Sequence, residues 1–341
     1  MRGEKVTYTS GTSIRYQIAI KNSGAAKNTG LYETDSVNVA DVMTSADVPW
    51  RHTTTNYAFD RREISMNREP ARLFDLVRLR RGDAITSLAE KFEDNLWGTP
   101  STSADTSTPW GINYWLPAGS GVTATGNDDG FNGEDPFGHS STAGIVRASN
   151  PRFQHWVGGF DRTADAPSAA TGGKRSFVQA MRKAMTYCKF MPPANLPSYD
   201  SGYRYGIYTN YEVIAKAEEF LRDQNDTLGM DIAATDGKLL FRGIPFQWVP
   251  WFDPESGGNP YYADNGAIVS GGTAGGAWPI IGIDWGTTNL SFLAGEDMRE
   301  HVDRSVSGQH NVTQVHMDST YNLCMKNPRR CFVLHDPTTS A

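Results

Sequence analysis

Two aromatic-rich stretches set large flat rings beside carboxylates: Trp110-Gly-Ile-Asn-Tyr-Trp115, and Trp248-Val-Pro-Trp251-Phe-Asp253 continuing to Tyr261-Tyr262-Ala-Asp264. Rings that stack sugars, flanked by Asp253, Glu255 and Asp264, are the parts a glycoside hydrolase needs, because two carboxylates must share the acid and base steps. The same residue types serve contacts between proteins. Trp and Tyr each bury about 150–250 Å² with few rotatable bonds, which makes them favoured anchors at interfaces. No second catalytic signal accompanies these rings, so contact with another chain is the preferred reading.

Other chemistry fails on spacing. Thr171-Gly-Gly-Lys-Arg-Ser176 lacks the first glycine of a phosphate loop, Ser168 standing there, and Arg175 occupies the position that needs Ser or Thr. Gly138-His-Ser-Ser-Thr142 lacks the closing glycine of a nucleophile elbow. The acidic run Asp128, Asp129, Asn132, Glu134, Asp135 offers oxygen ligands for calcium, but Phe131 interrupts it, so a solvated loop is preferred over an ion site. His310 and His316 share strand parity without the third ligand zinc requires. Cys188, Cys324 and Cys331 are too few and scattered for a disulfide framework or zinc site, in keeping with a reduced intracellular chain. No catalytic residue, metal or cofactor is expected.

Composition narrows the class further. The 341 residues hold 32 basic against 38 acidic side chains, a balance opposed to nucleic-acid binding as the main task. Aromatics at 11% exclude a disordered tail. There is no run of about 18 apolar residues to span a bilayer, and the opening Met-Arg-Gly-Glu-Lys-Val lacks the apolar region of a signal peptide. With 34 Gly, 18 Pro and 9 Trp against 38% hydrophobic residues, the chain has more loop and more large rings than a compact enzyme of this size needs.

The elements that must position these residues follow from periodicity. Ile14, Tyr16, Ile18 and Ile20 alternate with polar neighbours and predict a strand; Lys21–Gly30 reads as a hairpin tip, and Val48–Ile64 as the returning strand. A hairpin with so little apolar content needs cover from elsewhere. Leu73, Phe74, Val77, Ile85, Leu88, Ala89, Phe92 and Leu96 predict the inward stripe of one long helix ending at Gly98, with Gly82 as a point of bending. Residues 99–175 carry few periodic signals, and Thr163–Gly173 reads as linker. Helix Ser176–Cys188, strand Tyr203–Thr209, a helix capped by Asn210 and a strand Leu239–Val249 broken by Gly243 and Pro245 then predict an α/β unit. Strands are expected at Pro279–Trp285, Leu290–Ala294, Val312–Cys324 and Arg330–Leu334, and no internal repeat is visible.

Taken in order, these segments resemble the major capsid proteins of tailed bacteriophages, the Hong Kong 97-type capsid fold shared with encapsulin shells. The small-residue hairpin is similar to that family's extended loop. Asp60–Asn67 followed by Leu73–Arg81 and Leu88–Gly98 resembles its return strand and spine helix. Ser176–Cys188, Tyr203–Leu221 and Phe241–Pro250 resemble its axial domain, and Gln309–Leu334 its return into the peripheral domain. The resemblance implies an α+β chain: extended loop and short N-terminal arm in 1–66, spine helix and peripheral domain with a long surface loop in 67–150, axial domain in 151–300, and return strands in 301–341.

It further implies a structural protein that self-assembles into hexamers and pentamers of an icosahedral virion head enclosing double-stranded DNA without sequence-specific binding. Such a subunit is made in the host cytoplasm and meets portal, scaffolding and decoration (cement) proteins, with no membrane. The expected contact residues are Ile14, Tyr16, Ile18, Trp50, Tyr57 and Phe59 of the hairpin, Arg78, Arg80 and Arg81 of the spine, and Trp248, Trp251, Tyr261 and Tyr262. The rival readings are an encapsulin-like compartment and, behind it, a carbohydrate-binding or glycoside-processing protein.

Overall fold

Alternating apolar and polar residues make strands the commonest regular element among the described residues, and the supply of apolar residues decides which strands are covered on one face and which on two. The computed structural model describes residues 5–20, 26–32, 42–66, 76–119, 122–124, 126–136, 138–161, 176–189, 204–224, 239–253, 262–263, 267–270, 273–275, 277–303 and 311–337. The first half contains β1 (Lys5–Tyr8), β2 (Ser13–Ala19), β3 (Met43–Pro49), β4 (Arg51–Asp60), α1 (Arg61–Met66), α2 (Leu76–Trp97), the single turn α3 (Ile112–Trp115) and β5 (Trp156–Gly159). Next come α4 (Phe177–Tyr187), β6 (Tyr205–Thr209), α5 (Tyr211–Gln224), β7 (Leu240–Phe241) and β8 (Ile244–Trp248). The remainder holds β9 (Tyr262–Ala263), β10 (Ala267–Ser270), β11 (Thr273–Gly275), β12 (Ala277–Asp284), β13 (Thr288–Leu293), β14 (Arg299–Asp303), β15 (Val312–Met325) and β16 (Phe332–Asp336).

Two sheets carry the fold. The first is organised on β15, which pairs with β4 along one edge and with β14 and then β13 along the other; β1 adds in parallel to β13. The second runs β5-β16-β12-β6-β8-β7. Its central strands have a core on each face. Ile281, Ile283 and Val333 join the larger core with Trp115, Phe153 and Leu323, while Ile280, Phe332 and Leu334 join the smaller core beneath α4. That period of two explains why β16 is apolar or buried throughout. Gly282 lies opposite Phe332, and a Cβ there would sit 2.2 Å from the ring, so glycine is what lets the two strands and the phenyl coexist. At the end of β12 the fully buried Asp284 accepts two hydrogen bonds from Arg204 (2.8 and 3.1 Å) and one from the Gly286 N–H, with Arg330 at 3.4 Å.

Most predicted elements are present, with instructive differences. Residues 48–64 are not one strand: β3 pairs with β2, β4 pairs with β15, and Trp50 between them donates its indole N–H to the Gly11 carbonyl. The strand ends at Asp60 because a reciprocal cap starts a helix: Asp60 Oδ1 accepts from the Arg62 N–H (2.8 Å), and Glu63 accepts from the Asp60 N–H (3.4 Å). Leu73 and Phe74 lie outside the described residues, so the described spine is 22 residues, about 33 Å at 1.5 Å per residue. Its buried face is narrower than the predicted stripe. Ala84, Leu88, Asn95 and Trp97 are buried, whereas Ile85 and Ala89, expected inward, are exposed. The sheet beneath covers only one edge of the stripe. In α4 the spacing places Phe177, Val178, Met181, Ala184, Met185 and Cys188 on one face; all are buried but Val178, which is half-buried, Ala180 joins them, and Asn210 caps α5 by accepting from the Val213 N–H.

Gly282→Ala should lower the stability of the dissociated subunit by about 1–3 kcal/mol through overpacking against Phe332. Urea unfolding followed by tryptophan fluorescence reads this; an unchanged midpoint would contradict the packing described.

Candidate assembly surfaces

The β2–β3 hairpin is a two-stranded sheet with one apolar face, carrying Ile14, Tyr16 and Ile18 opposite Val48, Ala46 and Thr44. Its root is covered by the chain itself: Ile14, Ala46 and Val48 are buried in the larger core, and Tyr16 donates its hydroxyl to the Met325 carbonyl at 3.0 Å. Burial pushes the Tyr16 phenol well above its ordinary pKa. Ile18 is half-buried against the same core. On the opposite face Arg15 pairs with Asp47 in solvent. Between the strands, Leu31 and Tyr32 are 91% and 102% exposed, so the chain covers neither. They lie just past the tip read at Lys21–Gly30 and inside the hairpin stretch Ile14–Glu33 expected to make contacts.

The spine is fastened to the first sheet by polar and aromatic contacts. Arg80 donates to both oxygens of Glu63 (2.7 and 3.2 Å) and to the Ala58 carbonyl on β4 (2.9 Å). Arg81 donates to Glu300 on β14 at 2.8 Å. The Arg80 hydrogen bonds hold the Glu63 carboxyl below its usual range. Farther along, Phe92 lies 4.7 Å from the Tyr321 ring, whose hydroxyl accepts from Asn95 at 2.9 Å. Tyr57 and Phe59 are half-buried on the β4 face nearest this helix, and Arg78 is exposed. Arg80 and Arg81 are thus engaged within their own chain, as is Ile14.

The aromatic stretches separate into two kinds. Trp110–Trp115 is interior: Ile112, Tyr114 and Trp115 are buried, and Trp110 stacks on Tyr114 at 4.3 Å. The reading of this stretch as an exposed contact platform is therefore corrected; its rings fill the larger core above β15, where Trp115 donates its indole N–H to Leu323. Trp248 is 55% exposed and donates to Asp253 Oδ2, whose other oxygen accepts the first N–H of α5. Asp253 is occupied in this joint. Trp251 is half-buried against the larger core, and Tyr262 lies in β9. Tyr261, Glu255, Asp264 and His310 lie outside the described residues, as do Thr163–Gly173 and most of the Thr171–Ser176 motif.

The long 99–150 region is held from within. Arg147, fully buried, donates to the Glu134 and Trp115 carbonyls (2.8 and 2.6 Å) and to His155 Nδ1 (2.9 Å), while Asp135 accepts from its backbone N–H and from Thr142. His155 Nδ1 must therefore be bare, so Nε2 carries the hydrogen donated to Pro117. Burial and the Arg147 charge push the His155 pKa well below its ordinary value. Asp129, in the acidic run read as a solvated loop, accepts from the Gly159 N–H and pairs with Lys183 at 3.3 Å. Among the described residues no cluster of three or more His, Cys, Asp or Glu is placed to hold a metal. Burial pushes the Cys324 and Cys331 thiols up to about 11 and about 12, and Cys188 higher still, which suits inert packing rather than nucleophilic chemistry.

No family profile and no curated protein matches the sequence. Solved structures do. The cyanophage A-1(L) capsid asymmetric unit superposes with a TM-score of 0.58 at 15% identity, covering 99% of this chain and 91% of that one. The chain has a phage-capsid fold. The same capsid fold recurs in the capsid of an empty GTA particle (TM-score 0.52, 11% identity, 98% and 94% covered) and in that of a native GTA particle (0.50, 13%, 98% and 88%). Among the described residues of this capsid-fold chain, no helix is long and apolar enough to cross a membrane.

Buried histidines make the subunit acid-sensitive. His335, with its pKa lowered to about 4 by burial, binds a proton in the unfolded chain from about pH 6.5 downward, but in the folded chain only near pH 4. Its stabilisation is thus complete above pH 6.5 and lost as pH falls to 4, a difference of about 3 kcal/mol. His335→Gln should flatten the fall in unfolding free energy between those limits. An identical pH slope in the variant would contradict the assignment.

Proposed function

We propose that this chain is the major capsid subunit of a tailed bacteriophage, with the Hong Kong 97-type arrangement of the capsid fold. The observation that carries the reading is the full-length likeness to a capsid subunit, 99% of this chain at a TM-score of 0.58. On this reading the β2–β3 hairpin is the extended loop and α2 the spine helix. α4, α5 and strands β6–β8 belong to the axial domain, and β15 returns the chain to the peripheral domain. In chain order the units are 1–66, 67–150, 151–300 and 301–341, the last returning strands to the peripheral domain.

The subunits form hexamers and pentamers of an icosahedral virion head around double-stranded DNA, held by binding energy without catalysis. Support comes from the distribution of apolar surface. A hairpin bearing Leu31 and Tyr32 and a spine bearing Ile85 leave large side chains in water on two different patches. Different patches on one chain are what ring-closing, head-to-tail contacts require. The expected contact set of Ile14, Tyr16, Ile18, Trp50, Tyr57, Phe59, Arg78, Arg80, Arg81, Trp248, Trp251, Tyr261 and Tyr262 belongs to this proposal, as do portal, scaffolding and decoration partners. A net charge of −6 limits adhesion of packaged DNA to the wall. The hydrolase reading loses support because Asp253 is engaged with Trp248 and the start of α5.

Negative-stain microscopy with size-exclusion chromatography of the expressed protein tests the proposal. Shells, tubes or rings are expected; a lone monomer that cleaves oligosaccharides contradicts it, and closed shells that co-purify with an enzyme cargo point to the compartment instead.

A further inference from the structure

The second sheet gathers positive charge along one edge. β5, β16, β6 and β8 all begin at this edge and β12 ends there, because β5 runs parallel to β16, β8 runs parallel to β6, and β12 is antiparallel to both of its neighbours. Cations stand where the chain enters and leaves these strands. Arg204 directly precedes β6, Arg330 comes two residues before β16, and Arg242 sits in the turn between β7 and β8. Six strands spaced about 4.8 Å apart make the edge about 24 Å long.

Contacts draw further cations to the same place. Arg329 donates to the Pro151 carbonyl at 3.1 Å and lies over the Phe131 ring at 3.8 Å, which brings in Arg152, the neighbour of Pro151. The Lys326 N–H donates to the Thr287 carbonyl, in the turn that follows Asp284. Arg152, Arg242 and Lys326 are exposed, and the Arg204 and Arg330 side chains are half-buried. Among the described residues of the edge, the carboxylate these six cations meet is Asp284, fully buried between Arg204 and Arg330. The loop that carries Phe131 adds Asp128, Asp129 and Glu134 on the β5 flank, and of these Asp129 is paired with Lys183. In a chain of net charge −6, such a row is a departure in sign from the average surface.

We propose that this edge binds the phosphate backbone of duplex DNA without reading its bases. The choice of polyanion rests on the capsid reading above, in which duplex DNA is the polymer enclosed, and deepens it by naming where the wall touches that polymer. All of the six cations but Lys326 are arginines, whose planar forks match phosphate oxygens in pairs. Phosphates recur about every 3.4 Å along one strand, so an edge of about 24 Å lies along about seven of them. Contacts to phosphate fix position and carry no sequence information. Confined to one line on an otherwise acidic subunit, the contact holds the adjacent duplex while the rest of the wall repels it.

Fluorescence anisotropy of a short labelled duplex of mixed sequence, titrated with dissociated subunits, tests the site. Binding should weaken as salt rises, with a slope of log affinity against log salt of about −0.9 for each phosphate neutralised. Arg152→Gln, Arg242→Gln and Lys326→Gln all alter exposed side chains. Together they should make that slope shallower by about two to three and cut the affinity by about tenfold or more. Arg62→Gln with Lys91→Gln, exposed on α1 and α2, should change neither. In particles, acetylation of Lys326 by a lysine-reactive ester should be several-fold lower when DNA fills the head than after its release. An unchanged affinity and slope in the triple variant, or equal Lys326 labelling in filled and emptied particles, overturns the contact and leaves the capsid reading standing. Tighter binding of polyglutamate than of duplex overturns phosphate as the ligand. Duplex binding at this edge by a protein that forms no rings or shells upholds the site and overturns the capsid reading.

Discussion

A sheet with a core on each face requires apolar side chains at nearly every position, and the β12–β16 pair is such a sheet. Ile280 and Ile281, Phe332 and Val333 point alternately into two different cores, and the tolerance between the strands is so small that only Gly282 fits opposite Phe332. Everything else is arranged around this slab. The larger core attaches the hairpin root, α3 and the end of β15 to one face; α4 and α5 close the other. With 38% hydrophobic residues in the whole chain, two such cores leave little to cover the outlying elements. Leu31 and Tyr32 between the hairpin strands, and Ile85 on the outer edge of the spine, are left exposed.

Polar chemistry then does the positioning that apolar packing does not. Arg80 and Arg81 clamp the spine to β4 and β14, Asp284 gathers Arg204 and Arg330 at the end of β12, and Arg147 with His155 holds the long 99–150 region against Trp115 and Pro117. Asp284 and the terminal nitrogens of Arg147 each meet several partners, which is the condition for a buried charge to be tolerated. The outcome is a frame of two packed sheets, with the hairpin and the spine covered on one side by that frame.

Local patterns were the legible part. The stripe Phe177–Cys188, the cap at Asn210 and the alternation of Ile14, Tyr16 and Ile18 all report on nearest neighbours in the chain, and each forms as read. Asp60-Arg-Arg-Glu63 was legible too, as a capping box, but the strand propensity of the Thr-rich run before it masked the helix start. What sequence cannot convey is which element lies across from which. Trp110–Trp115 reads as surface because it sits in a loop, yet β15 passes over it. The spine stripe reads as wholly inward because periodicity gives the width of an apolar face, not the width of what covers it. The Arg147–His155 and Asp284 clusters join residues far apart in the chain, and nothing local announces them.

If the uncovered edge of the spine and the hairpin tip are completed by neighbours, their backbone and side chains must change environment on assembly while the two-core slab does not. Amide hydrogen exchange, compared between assembled particles and dissociated subunits, measures this most directly. The account predicts that peptides spanning 26–32 and 85–97 gain protection in particles, with β12 and β16 equally protected in both states. Equal exchange at 26–32 and 85–97 in the two states would contradict it.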